Sequence, residues 1–66
     1  METDVTINNQ GTIVLLTPCT EQAQGWIDEH IPKDAMYFGN GLVVEPRYVE
    51  DIIHGMIQDG LELAIA

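Results

Sequence analysis

Serine is absent from this chain, cysteine occurs once, and lysine and arginine together number two. Each shortage excludes something. Without serine, a serine nucleophile beside His30 or His54 is excluded, which leaves Cys19 as the candidate to pair with either base. A lone cysteine closes no internal disulfide, and with no second Cys or His-rich tract there is no zinc-ligand spacing, so the chain must fold without staples. Lys33 and Arg47 are too few to displace the counterions of a phosphate backbone, which argues against direct nucleic-acid binding and against an anionic membrane surface. Long apolar runs are also missing: Ile13 to Leu16 and Leu42 to Val44 fall far short of a membrane span. The N-terminus lacks the basic, apolar pattern of a secretory leader, so a cytoplasmic protein with Cys19 reduced is expected.

What is present is acid and aliphatic carbon. Eleven Asp and Glu give the 66 residues a formal net charge of −9, while 45% of the chain is apolar, and the isoelectric point falls near 4.1. Low hydrophobicity joined to high charge would mean disorder, but apolar content in periodic blocks does not. One small folded domain is expected, and at this size it buries only about 60% of the surface its unfolded chain exposes, too little for a large enzyme pocket.

The first ten residues are polar, with weak alternation at Val5 and Ile7, and Asn8-Asn9-Gln10-Gly11 reads as a turn. Residues 1–11 are therefore expected as a tail or an extra strand ahead of a single domain over 12–66. Thr12 to Thr17 is nearly continuous apolar sequence rich in β-branched residues, which predicts an interior strand ended by Pro18. A helix follows, capped by Thr17 with Pro18 at its first position, or by Thr20 with Glu21 in the first turn. Ala23, Trp26, Ile27 and Ile31 make its apolar stripe and Pro32 closes it. Ala35 to Phe38 and Leu42 to Glu45 flank Gly39-Asn40-Gly41, and Asn-Gly between apolar runs predicts a hairpin with a type I′ turn. Pro46 opens a second helix carrying Val49, Ile52, Ile53, Met56 and Ile57 at helical spacing, and Asp59-Gly60 stops it. Leu61, Leu63 and Ile65 then alternate with smaller or polar residues, as in a strand with one buried face.

The order is β-α-β-β-α-β, which predicts an α+β, ferredoxin-like fold: a four-stranded antiparallel sheet with two helices on one face. Right-handed crossovers put the first and third strands inside and the second and fourth at the edges. Gly25 and Gly55 fall in mid-helix, where each costs about 1 kcal/mol against Ala, so a close helix–sheet or partner contact is expected at one of them.

No catalytic or metal-ligating set emerges. Cys19 reads as a small residue in a strand-to-helix turn, His30 and His54 as surface or boundary residues, and no acids follow the D-x-D-x-D-G spacing of a calcium loop. No cofactor is implied. The charge distribution carries more. Lys33 lies next to Asp34, and Arg47 near Glu45 and Glu50, so both bases are expected to be neutralised locally. Asp28, Glu29 and Asp34 gather near the end of the first helix, Glu45, Glu50 and Asp51 near the start of the second, and Asp59 and Glu62 around its last turn. These eight acids are the candidate partner-binding residues. Neighbours three or four apart on a helix sit about 5–6 Å from each other, a spacing comparable to that of successive phosphates on a nucleic-acid strand. An acidic coat kept for solubility is the plainer alternative.

With both helices on one side, the other sheet face is bare, and the first strand must send two apolar side chains to it. A homodimer through that face or through an edge strand is one expectation, with Val14→Asp or Leu16→Asp as its test, and coverage by the N-terminal tail is another.

The sequence TIVLLTPCT, followed by Trp26, FGNGLVVEPRY and DGLEL, resembles a group of short proteins carried by phages and prophages of Proteobacteria, over nearly the whole chain. In size, acidity and inferred fold the chain also resembles, at the level of class, small phage anti-CRISPR proteins, some of them ferredoxin-like DNA mimics. That resemblance implies a non-enzymatic inhibitor in the bacterial host cytoplasm. Its partner would be the basic groove with which a subunit of a type I CRISPR-Cas surveillance complex captures DNA and reads the PAM. The alternatives are a small regulatory or antitoxin-like interaction module working through the apolar sheet face, and a catalytic or ligand-binding domain using Cys19 and the histidines.

Overall fold

In the computed structural model, which describes residues 2–66, the most continuously apolar stretch of the chain forms the middle strand of a five-stranded sheet. The elements are β1 (Val5–Asn9), β2 (Val14–Pro18), α1 (Glu21–His30), β3 (Tyr37–Phe38), β4 (Gly41–Val44), α2 (Pro46–Gln58) and β5 (Leu63–Ile65). In space the strands run β3-β4-β2-β1-β5. Neighbours are antiparallel except β1 and β5, which are parallel. The fold is α+β with a mixed sheet, and the expected four-stranded antiparallel sheet is corrected by one inserted strand.

That strand is β1. Of the segment 1–11, Met1 lies outside the described residues, and Val5–Asn9 pairs with β2 from Val5↔Pro18 to Asn9↔Val14. The weak alternation noted in the sequence is sufficient, because a period of two puts Val5 and Ile7 on one face and Thr6 and Asn8 on the other. β1 enters between β2 and β5, so the connection from β4 through α2 to β5 passes over two strands. The last strand accordingly pairs in parallel with β1 (Val5↔Leu63, Ile7↔Ile65) and not with β2. The other positions are as expected: β2 and β4 are interior, β3 and β5 are edges.

Register sorts the side chains between two faces. Ile7, Leu16 and Leu42 lie in line across β1, β2 and β4, and Val14 lies opposite Val44. Val5, Val14, Leu16, Leu42 and Val44 join Ala23 and Ile27 of α1, Met56 of α2 and Leu61 in one buried cluster, with Trp26, Ile31, Val49 and Ile52 packed against it. Both helices therefore cover this face. Leu16, Ile27 and Met56 are each fully buried, and such a side chain contributes about 1.5–3 kcal/mol by leaving water. Leu15, Val43, Thr6 and Thr17 alternate onto the opposite face. Val14 and Leu16, expected as probes of the bare face, are in fact core; the apolar pair that β2 and the residue before it send to the open side is Ile13 and Leu15.

Local chemistry explains the boundaries. Thr20, not Thr17, caps α1: its side-chain oxygen accepts the Ala23 amide at 3.1 Å, and Pro18 remains in β2. α2 starts on Pro46 after Glu45, which makes no side-chain capping bond. Its apolar stripe buries Met56 and half-buries Val49, Ile52 and Ile53, but Ile57 turns outward. The β3–β4 turn is one residue earlier than expected. Phe38 pairs with Gly41, leaving Gly39 and Asn40 as the two turn residues, and only Gly39 has positive φ (+63°). A type I′ turn needs positive φ at both positions, so glycine at the first alone matches type II′.

Candidate functional site

None of the eleven acids and two bases lies within a strand. Charge is therefore confined to the helices, the loops and the N-terminal segment. All eight candidate acids are exposed. Asp28 and Glu29, adjacent in sequence, diverge on α1. Asp28 accepts a hydrogen bond from Gln24 Nε2 at 3.1 Å and lines a groove of about 570 Å³ with Gln24, Ile31, Lys33, Tyr37 and Asn40. Glu29 lines another, of about 280 Å³, with Glu21, Trp26, His30 and Asp59. Asp34 is in the loop after α1, Glu50 and Asp51 project from α2, and Glu62 precedes β5. The fold thus brings Glu29 and Asp59 together from two of the three sequence clusters and adds Glu21. Neither of these two grooves is lined by Asp34, Glu45, Glu50, Asp51 or Glu62.

The two bases behave differently. Arg47 lies 3.4 Å from Glu45 and over the Tyr48 ring, 4.9 Å from its centroid, as the expected local neutralisation requires. Both partners are well exposed, so the pair adds little to stability. Lys33 has no carboxylate within 4.0 Å among the described residues, and its expected pairing with Asp34 does not form.

Asp59 is more than a surface charge. Its Oδ2 accepts the Trp26 indole N–H at 2.6 Å and lies 3.7 Å from His30 Nε2. The His30 ring stacks on Trp26, centroids 4.2 Å apart and planes 14° from parallel, with Nδ1 2.9 Å from the Trp26 carbonyl oxygen. That oxygen can only accept, which places a proton on Nδ1 in this contact. Behind the indole is Gly55, where a Cβ would stand 3.2 Å from Trp26 Cζ2. Gly55, not Gly25, makes a close contact, and it is a helix-to-helix one, with Trp26 of α1, in place of the expected contact with the sheet or a partner; it lets α1 and α2 approach through Trp26.

Asp4 was not among the candidates, although three elements converge on it. Thr20 donates its hydroxyl to Asp4 Oδ1 at 2.8 Å, the Glu62 amide donates to Oδ2 at 2.8 Å, and the Asp4 backbone bonds both Cys19 (2.6 Å) and Glu62 (2.8 Å). The Glu62 amide, helped by the Thr20 hydroxyl, holds its carboxyl below the usual 3.8. Only the pairing of β1 creates this site. The one sequence signal was an Asp upstream of a capping Thr, too common to single out.

Cys19 and His54 are exposed and apart from the Trp26 cluster. Among the described residues no group of three or more His, Cys, Asp or Glu is placed to hold a metal ion, and no helix is long and apolar enough to cross a membrane. No protein-family model matches the chain, and no curated protein or solved structure is significantly similar to it.

Proposed function

We propose that this protein is a non-enzymatic inhibitor that uses its acidic surface in place of DNA, occupying a basic nucleic-acid-binding groove on another protein. The supporting observation is the separation of charge from sheet. All eight candidate acids are exposed on helices and loops, while one of only two bases is already paired with Glu45. Such a surface attracts a cationic groove over several ångströms and repels nucleic acid itself. The phage-protein resemblance names the partner within this proposal: a DNA-binding subunit of a type I CRISPR-Cas surveillance complex in a bacterial cytoplasm, blocked before it recognises the PAM.

The test is charge reversal. Asp28→Lys, Glu29→Lys, Glu50→Lys and Asp51→Lys together shift the net charge from −9 to −1, two units at each site. Because the four side chains are exposed, each change should move stability by no more than about 0.5 kcal/mol. The expected result is a folded variant that no longer inhibits DNA capture. Full inhibition by that variant would show that these acids are not the contact.

A further inference from the structure

The open face of the sheet is left unused by the acidic surface, and it has a character of its own. Its strand residues, Thr6, Leu15, Thr17, Val43 and Phe38 among them, carry no charge, in a chain of net charge −9. At one end the face is apolar. A groove of about 280 Å³ runs over Leu15 and Val43, bordered by Ile13, Met36 and Phe38. Phe38 and Met36 stand beside it with 73% and 70% of their surface in water. We propose that this face joins two copies of the chain in a twofold dimer, the Phe38 and Met36 side chains of each copy seating in the groove of the other.

Three observations select a second copy as the occupant. In a twofold contact the same patch meets itself, so any charge on it would face its like. The strand residues of this face carry no charge, so that penalty is small there, and a partner bringing charges would desolvate them against strands with nothing to pair them. A projecting pair of side chains beside a groove of matching apolar character is self-complementary, since twofold rotation carries each into the other. About 800 Å² per partner, typical of a stable interface, is about a sixth of the chain's 4502 Å², so one face of the molecule suffices. The edges serve less well, because β3 has two residues and β5 three, too few for a sustained ladder of hydrogen bonds.

Face-to-face packing leaves the helices of both copies outward, so the dimer presents two acidic surfaces on opposite sides. Their mutual repulsion opposes assembly and is screened by salt. Self-association should therefore strengthen as ionic strength rises, opposite in sign to the binding of an acidic surface by a basic groove. The two ideas thus fail independently.

Sedimentation equilibrium of the purified full chain over a range of protein concentrations, from low salt to about 1 M, reads the outcome. The expected result is a mass twice the 7.3 kDa of the chain, with a dissociation constant that falls as salt is added. Phe38→Lys should raise that constant by about thirtyfold or more, as loss of an interface anchor does. Ile57→Lys, which makes the same charge change on the exposed side of α2, should leave it within about threefold. Met36→Lys replaces Phe38→Lys if circular dichroism shows the latter unfolded. A wild-type chain that stays monomeric at high salt overturns the proposal, and so does a dimer indifferent to both open-face substitutions.

Discussion

Gly25 and Gly55 offer a sharp test of how the helices are held, because the same substitution should have opposite effects at the two positions. In a helix interior, replacing Gly by Ala is worth about 1 kcal/mol through backbone entropy. At Gly25 an added Cβ meets nothing within 4 Å, so Gly25→Ala should gain that amount in full. At Gly55 it would lie 3.2 Å from Trp26 Cζ2 and 3.7 Å from Cη2. The indole cannot withdraw freely, being bonded to Asp59 at 2.6 Å and stacked on His30. Overpacking of this kind costs about 1–3 kcal/mol, so Gly55→Ala should lose about 1 kcal/mol net. In a domain of this size that lowers Tm by about 4–8 °C. Thermal and urea unfolding followed by circular dichroism measure both variants. A third experiment fixes the cause: Trp26→Phe deletes the outer ring carrying Cζ2, so adding Gly55→Ala in that background should be stabilising. If Gly55→Ala in the parent protein stabilises as much as Gly25→Ala, then Trp26 is not pinned against α2 and the reasoning fails.

Two further perturbations probe the fold. Asp4 has a folded-state carboxyl held below its ordinary value of 3.8; its stabilising effect should be complete above 3.8 and disappear as pH falls through the lower folded value. Urea midpoints of the parent and of Asp4→Asn should accordingly differ at neutral pH and converge in strong acid, and a gap that does not change with pH would refute the assignment. Leu16→Ala, at a position with no solvent exposure, should cost about 2–5 kcal/mol. Against the total of about 3–10 kcal/mol that 0.05–0.15 kcal/mol per residue implies for this chain, that leaves a protein near its unfolding limit. A small shift in its urea midpoint would place Leu16 outside the core.

Periodicity revealed most of the secondary structure, and the reasons it missed the rest are physical. Ala23 and Ile27, and Val49, Ile52 and Met56, lie on the buried sides of their helices because spacing of three and four residues puts them there. β2 and β4 were legible as interior strands from their unbroken apolar character. The place of β1 was not, because Val5 and Ile7 say which face a strand has but nothing about its neighbours. Its insertion beside β5 is a long-range matter, and the same arrangement brings Asp4 to Thr20 and Glu62. The hairpin turn was misplaced by one residue because Gly-Asn and Asn-Gly both offer a two-residue turn, and the register of Phe38 against Gly41 chose between them. Of the candidate site, the exposure of the eight acids followed from composition and helix ends. That Asp59 binds Trp26, and that Glu29 and Asp59 share a groove, required α1 and α2 to be brought together at Gly55.

The proposed function stands or falls on the sign of one dependence. Binding of the protein to a purified type I surveillance complex should be measured over a series of salt concentrations, with target duplex as competitor. An acidic surface standing in for DNA should bind tightly at low ionic strength, weaken steeply as the Debye length contracts from roughly 30 Å to 3 Å, and be displaced by duplex. Affinity that is flat or rising with salt, or a complex that holds the protein and its DNA target together, would contradict it.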